Sequence, residues 1–305
     1  MESTPETAEA PRRLDGLLSG RLRMDWLLAI FAVIVGLAIL TRFAGLGTRV
    51  MSHDETTHVY FSWLLEQGRG YSHDPLSHGP LQFHLLALSY FLFGDNDASA
   101  RIPAAVAGIL AVGLIWPFRR WIGRASTAVT AALMFASPFM LYYGRYARNE
   151  AFVVVEALVM FWAVFAYLEK RRSSALYLLA ASLSLHFCTK ETAYIYAAQL
   201  LILLAVLFFW EALRKSWEFG SRRTLFIIGA GAAAIGGGLA MALFLAARTA
   251  AKDSATLAAS PLVGMGALLG LAGAILAFAM LLLNFGSRLR KEFPAFDLLI
   301  LTGTL

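Results

Sequence analysis

Most of the side chains that could do chemistry lie in one short stretch of the sequence. Residues 47–100 hold five of the six histidines, and the string from Ser52 to His58 contains two adjacent carboxylates, Asp54 and Glu55. Neighbouring carboxylates raise each other's proton affinity, so one can act as a general base while the other binds a cation or orients an acceptor. A solvated surface loop is the alternative interpretation. We predict a polar functional site in this stretch.

A second polar string contains His73, Asp74 and His78, and its two prolines, Pro75 and Pro80, break any helix before the next apolar segment. Together with His53 and His58 of the first string, these residues could surround an acceptor or another ligand that carries a sugar or a phosphate.

The two histidine pairs of these strings do not have a standard zinc spacing. A hard divalent ion held by carboxylates is as consistent with the sequence as zinc. The site of a divalent metal, whether Mg, Mn or Zn, would be Asp54, Glu55 and His58, and no cofactor is firmly indicated.

Two further strings carry cations. Arg145 and Arg148 precede Glu150, and Lys190 follows at the end of a later apolar run. Such cations suit a phosphate or pyrophosphate, whereas capping of helix ends is the alternative. Glu156 falls inside an apolar run, so it is expected to face the bundle or a cavity.

The composition indicates what must position these residues. The chain has 305 residues, 59% of them apolar and only 15% charged, against roughly 45–50% and 25% in soluble domains. This predicts an all-α, polytopic transmembrane helix bundle and excludes a disordered chain or one large soluble core. The single cysteine, Cys188, excludes an intrachain disulfide. The net charge of +6 is spread between apolar runs, which argues against nucleic-acid binding.

Eight apolar runs are long enough to suggest membrane spans, and a ninth begins near Ala295 and reaches the last residue. The segment Leu81–Phe93 is short and contains His84 and Ser89, so we predict an interfacial helix. The eight predicted spans are 26–46, 102–118, 125–143, 150–168, 174–189, 192–211, 224–247 and 261–284.

The distribution of Lys and Arg indicates which loops lie on each side of the membrane. If Leu81–Phe93 does not cross, 17 of the 26 Lys and Arg residues fall on the side of the N-terminus, as the positive-inside rule requires. The N-terminus is therefore predicted to be cytoplasmic and residues 47–100 to be the first outer loop. Residues 1–23 are predicted to be a disordered tail and 24–305 one transmembrane domain, truncated within its ninth run.

The order of several motifs over residues 24–210 resembles the GT-C membrane glycosyltransferases, in the branch of the protein O-mannosyltransferases and aminoarabinose transferases. Within that branch, the chain looks similar to the bacterial and archaeal mannosyltransferase-like, flippase-associated proteins. The motifs are the Asp-Glu pair, a Gly-Pro-Leu helix ending at Gly94, Ala100-Arg101-Ile102-Pro103-Ala104, Arg145-Tyr146-Ala147-Arg148 with an acid, and Thr189-Lys190.

The resemblance implies an inverting transfer of a sugar from a polyprenyl-phosphate donor to a glycan, lipid or protein acceptor, at the outer face of a bacterial or archaeal cytoplasmic membrane. It implies that Asp54 is the catalytic base, Glu55 its neighbour at the acceptor or metal, and Glu150 the second acid. The donor phosphate would be held by Lys190, Arg145, Arg148 and Arg101. The alternative is a non-catalytic, transferase-like membrane subunit or a lipid-binding scaffold of a larger membrane complex. Either interpretation allows other membrane subunits as partners.

Overall fold

The computed structural model describes residues 25–72, 78–250 and 261–305, without side chains for 247–250. The predicted N-terminal tail, His73 and Asp74 lie outside these residues. Within the described ranges the chain is helical, with no β-strand. The helices are α1 Trp26–Phe43, α2 His53–Glu66, α3 Leu81–Phe93, α4 Asp97–Gly113, α5 Arg119–Ile122, α6 Arg124–Ala136, α7 Pro138–Tyr143, α8 Glu150–Lys170, α9 Ser173–Thr189, α10 Thr192–Arg214, α11 Gly220–Ala250, α12 Pro261–Phe285, α13 Leu289–Glu292 and α14 Pro294–Thr304.

The chain forms two compact units, which divide between Leu158 and Val159 within α8. In the first unit α1 packs against α4 and α6, and α3 packs between α2 and α4. The core between α1, α4 and α6 is built from the buried side chains Phe31, Ile34, Ala38, Val112, Ile115 and Ala131.

Local sequence explains how α4 tolerates a proline in its interior. Asn96 caps the helix, and Ser99 completes a capping box with it. Pro103 has no N–H for the Ser99 carbonyl four residues earlier. The hydroxyl of Ser89 on α3 donates to that carbonyl at 2.6 Å, so the missing helix bond is replaced by one that joins two helices.

In the second unit α11 and α12 lie close together because glycines face each other. A Cβ on Gly229 would lie 2.7 Å from the backbone nitrogen of Ala277, and a Cβ on Gly270 would lie 2.8 Å from the nitrogen of Gly237. Small residues let membrane helices approach in this way. A buried apolar cluster joins α11 and α12 to α10 and α13. It consists of Ala212, Phe226, Ala277, Leu281, Phe285, Leu289 and Phe293.

Six helical segments are long and apolar enough to span a membrane, among the residues that the structure describes. In each of α10, α11 and α12, less than a quarter of the most apolar 18-residue stretch is buried within the chain. The apolar faces that the chain leaves exposed on these helices suit contact with lipid. This confirms the all-α, polytopic prediction. The six are 26–43, 97–122, 150–170, 192–214, 220–246 and 261–292.

The remaining predicted spans correspond to shorter helices, so the number of crossings stays a prediction. The run 174–189 is the 17-residue α9, and the ninth run is the 11-residue α14. The run 125–143 is divided into α6 and α7 at Pro138, which cannot donate to the carbonyl of Met134. Ser137 leaves the helical conformation there, with ψ at 123°, and its hydroxyl caps α7.

Candidate active site

The N-terminus of α2 carries the acidic pair. Ser52 is its N-cap, and a capping box joins the Ser52 hydroxyl to the N–H of Glu55 and the Glu55 carboxylate to the N–H of Ser52. Asp54 and Glu55 are consecutive in a helix, so their side chains leave about 100° apart. The two carboxylates consequently have different surroundings, with side-chain exposures of 51% and 0%.

Glu55 is a buried acceptor of five hydrogen bonds. Arg101 donates to both carboxylate oxygens at 2.8 and 3.0 Å, Arg49 donates at 2.9 Å, and the N–H groups of Ala147 and Ser52 donate at 3.1 and 3.2 Å. Burial by itself would raise the pKa of Glu55. The bonds from Arg101, Ala147 and Ser52 outweigh burial, so the pKa lies below its usual value. The direction of this shift is opposite to the one that an adjacent acid alone would produce.

Arg101 reaches Glu55 from the first turns of α4 and is 1% exposed. Its remaining donors point to the carbonyls of Leu46 and Arg49 at 3.0 and 2.9 Å. The guanidinium thus holds the segment before α2 against α4. It lies at the entry of the predicted second span, as expected, but its contacts are with protein groups.

The string between α7 and α8 is fixed at several points. Arg145 donates to the carbonyls of Thr41 and Ala44 at 2.9 and 2.7 Å, and so caps the C-terminus of α1. The Tyr146 hydroxyl lies 2.5 Å from the hydroxyl of Ser52. Gln82 on α3 donates to the carbonyl of Ala147 at 2.6 Å. These bonds place the next residue, Arg148, over α2.

Arg148 joins two of the predicted acids. Its Nη1 lies 2.5 Å from the Oδ2 of Asp54, and its Nε lies 3.8 Å from the Oε2 of Glu150, the first residue of α8. Its Nη2 lies 3.4 Å from the Nε2 of His78. The structure therefore brings together Asp54, Arg148, Glu150 and His78, which are up to 96 positions apart in the sequence.

His58 lies one turn after Asp54 and is 4% exposed. Its ring is 6.4 Å from that of His78 and 5.2 Å from that of Phe83. Burial, with smaller contributions from Arg148 and His78, lowers the pKa of His58 to about 4. His58 is therefore neutral at pH 7. His53, the first residue of α2, is exposed.

Among residues 25–72, 78–250 and 261–305, no group of three or more His, Cys, Asp and Glu side chains is arranged to hold a metal ion. The carboxylate of Glu55 turns to Arg101, whereas that of Asp54 turns to Arg148. The metal alternative through these acids and His58 stays a prediction.

In the second unit, Lys190 follows α9 in an extended conformation, and its N–H donates to the carbonyl of His186. His186 is buried, with its Nε2 3.4 Å from the hydroxyl of Thr192 and its ring 4.8 Å from that of Tyr196, tilted by 55°. Glu156 on α8, in the first unit, is buried as predicted.

Sequence reasoning missed Arg49 and Gln82 as parts of the site, and it named Tyr146 only as a member of the Arg145–Arg148 motif. Arg49 has an ion pair with Glu55 and lies on two tyrosine rings. Gln82 and Ala147 are joined across 65 positions. The tyrosines under Arg49 and the backbone partner of Gln82 are distant in the sequence, so no local pattern marks these two contacts.

The fold and the site define a multi-pass, α-helical membrane protein with an acid–arginine cluster at one end of its first unit. Similarity to known proteins agrees with this class. The model of the dolichyl-phosphate-mannose-protein mannosyltransferase family matches residues 77–231, half of the chain. The chain belongs to this family, which confirms the resemblance to GT-C mannosyltransferases.

Two curated relatives are polyprenol-phosphate-mannose–protein mannosyltransferases of Mycolicibacterium smegmatis, from strains ATCC 700084 / mc(2)155 and MKD8. Each is 29% identical over 143 residues, which is 44% of this chain. The match spans 28% of the length of each relative. The family match includes Arg101, Arg148 and Lys190 but begins after Asp54 and Glu55.

Proposed function

We propose that the protein transfers a mannosyl residue from a polyprenyl-phosphate donor to an acceptor hydroxyl, with Asp54 as the base. Membership of the mannosyltransferase family supports the reaction class, and the printed names of the two relatives support the donor. Those names also specify a protein acceptor, which we adopt here in preference to a glycan or lipid.

The observation that carries the proposal is the contrast between the two adjacent acids. Glu55 is enclosed and bonded to Arg101, whereas half of the Asp54 side chain is exposed and bound to Arg148. Two titratable groups in different environments commonly divide the tasks of a site. We therefore assign the reacting position to Asp54 and a positioning role to Glu55.

The reaction needs few groups. Asp54 takes the proton of the acceptor hydroxyl as its oxygen bonds to the anomeric carbon, and the bond from that carbon to the phosphate oxygen breaks on the opposite face. The configuration inverts, and polyprenyl phosphate leaves with the electron pair. Because a phosphate is a competent leaving group, fixed cations are sufficient to stabilise it.

Arg148 is a positioning residue in this scheme, because its guanidinium binds the Asp54 carboxylate and so fixes where the base lies. Glu150, at 3.8 Å from Arg148, shares the same cation and orients it. We retain Lys190 as a donor-phosphate ligand and assign Arg101 and Arg145 to positioning, because their donors meet protein carbonyls and Glu55.

A transfer assay tests these roles. The full chain in lipid nanodiscs is supplied with radiolabelled polyprenyl-phosphate mannose and a hydroxyl-bearing peptide. We expect Asp54→Asn to lower kcat by roughly 10²–10⁴ while the protein stays folded, as removal of a general base does. Asp95→Asn is the matched control, because Asp95 is an exposed acid in the same region that contacts Trp63.

Full activity of Asp54→Asn, or an equal loss in Asp95→Asn, would overturn the role of Asp54. A wild-type protein that neither releases polyprenyl phosphate nor mannosylates the peptide would overturn the transferase proposal and favour the lipid-binding subunit.

We also propose that the chain lies in the cytoplasmic membrane of a bacterium or archaeon, with its N-terminus inside and α2 at the outer face. The distribution of Lys and Arg supports this orientation. In a Cys188→Ser background, Gln67→Cys should react with an impermeant maleimide in intact cells and Arg172→Cys should react only after lysis. The reverse pattern would overturn the orientation.

A further inference from the structure

Arg49 lies in the segment between α1 and α2 and is held on a platform of two tyrosines. Its Cζ lies 5.2 Å from the ring centroid of Tyr142 and 5.1 Å from that of Tyr146. The two rings stack on each other at 4.9 Å. Tyr146 is itself fixed by its hydroxyl contact with Ser52. The guanidinium is therefore pre-organised, although 45% of the side chain is exposed.

The charge of Arg49 is only partly compensated. Its one hydrogen bond within the described part of the chain runs from Nη2 to Glu55 at 2.9 Å. Glu55 already receives a two-point bond from Arg101, which matches its single negative charge. Arg49 consequently contributes a net positive charge to the site, and the remaining N–H groups of this 45% exposed side chain can bind an anion.

The neighbouring arginines differ from Arg49 in this respect. Arg101 is buried against Glu55 and backbone carbonyls, Arg145 caps α1, and Arg148 is paired with a carboxylate. An arginine fork with exposed N–H groups suits the oxygens of a phosphate, which accept parallel hydrogen bonds.

We propose that Arg49 is a ligand of the phosphate group of the lipid-linked donor. This inference rests on the proposed function and adds a residue to the donor site that the sequence did not indicate. The connection to the reacting group is short, because Arg49 bonds to Glu55, the residue next to Asp54. The tyrosine platform keeps the guanidinium in place, so little side-chain freedom is lost when the phosphate binds.

The test measures binding, so that it does not depend on turnover. The full chain in nanodiscs is titrated with a short-chain polyprenyl phosphate, with the uncharged polyprenol of the same length, and with inorganic phosphate. The variants are Arg49→Gln, Arg49→Lys and the control Arg69→Gln. Arg69 is also an exposed arginine on an aromatic ring, 5.6 Å from the centroid of Trp63, but no ion pair joins it to Glu55.

We expect Arg49→Gln to weaken binding of polyprenyl phosphate roughly ten- to hundred-fold, the usual effect of losing a charge-assisted hydrogen bond. Binding of polyprenol should not change, and Arg69→Gln should bind like the wild type. Arg49→Lys keeps the charge but loses the fork, so a smaller loss is expected. If Arg49→Gln does not fold, as judged by size-exclusion chromatography, the folded Arg49→Lys decides the outcome.

The role of Arg49 would be overturned, and the proposed function left intact, if Arg49→Gln bound polyprenyl phosphate within two-fold of wild type. If Arg49→Gln does not fold, the same criterion applies to Arg49→Lys. An equal loss in Arg69→Gln would also overturn the role of Arg49. A wild-type protein that binds polyprenol as tightly as its phosphate would instead overturn the lipid-phosphate donor. Equal affinity for inorganic phosphate would show that the site binds free phosphate, which also overturns the inference.

Discussion

Replacement of Glu55 by Gln tests whether this acid acts in folding or in chemistry. The variant keeps the shape of the side chain but removes the counter-charge of Arg101, whose side chain is 1% exposed. Loss of one partner of a buried ion pair leaves the other charge uncompensated and costs about 3–5 kcal/mol. Glu55 also accepts from Arg49, Ala147 and Ser52, so we expect the upper part of that range.

The assay is thermal unfolding of the full chain in nanodiscs, with the transfer assay run at a temperature where the variant is still folded. A cost of about 4–5 kcal/mol corresponds to a fall of roughly 8–20 °C in Tm. The double variant Glu55→Gln/Arg101→Met should recover part of the loss, because contacting residues are not additive. The conservative change Asp54→Asn should leave Tm within a few degrees.

Two outcomes would refute the reasoning. A Tm of Glu55→Gln within about 2 °C of wild type would show that the ion pair with Arg101 contributes little to stability. A folded Glu55→Gln protein with kcat as low as that of Asp54→Asn would show that Glu55 acts in the reaction.

Two further predictions concern pH and helix packing. Because the pKa of His58 is lowered to about 4, the unfolded state binds more protons between pH 6.5 and 4. Acidification through this window should therefore cost up to about 3 kcal/mol of stability. His58→Phe should flatten that part of the profile of unfolding free energy against pH, whereas His53→Gln should not. An unchanged profile in His58→Phe would contradict the lowered pKa of His58. In the second unit, Gly229→Ala should lower Tm because its Cβ would meet the Ala277 backbone at 2.7 Å. Gly231→Ala should not lower Tm, because open space surrounds that position. Equal Tm values for the two variants would contradict the close packing of α11 and α12.

Much of the fold follows from hydropathy alone. The predicted segment Leu81–Phe93 is one helix with the same bounds, since a proline precedes it and a glycine follows. The run 125–143 was not divided at Pro138, because its apolar composition continues across the break. Hydropathy counts side chains, whereas the helix ends where the backbone lacks a donor.

The site was predictable as a set but not as a geometry. The strings around Asp54 and Arg148 indicated which segments hold the acids and cations, and the structure pairs these two residues. The different surroundings of Asp54 and Glu55 depend on Arg101, 46 positions after Glu55, and on the backbone of Ala147. Such partners are set by the packing of α2 against α3 and of α3 against α4, which no local motif encodes.

Because the two acids are adjacent in one helix, the contacts of Glu55 also fix the position of Asp54. Both lie in the first turn of α2, where the helix dipole favours negative charge. Glu55 uses that position to close a capping box and to neutralise Arg101, which fixes the helix start. Asp54, one residue earlier and turned by about 100°, is thereby held at a defined place while its carboxylate stays exposed to Arg148 and solvent. A general base must lie within hydrogen-bond reach of the proton that it takes, so in the proposed transfer the buried acid sets the geometry in which the exposed acid reacts.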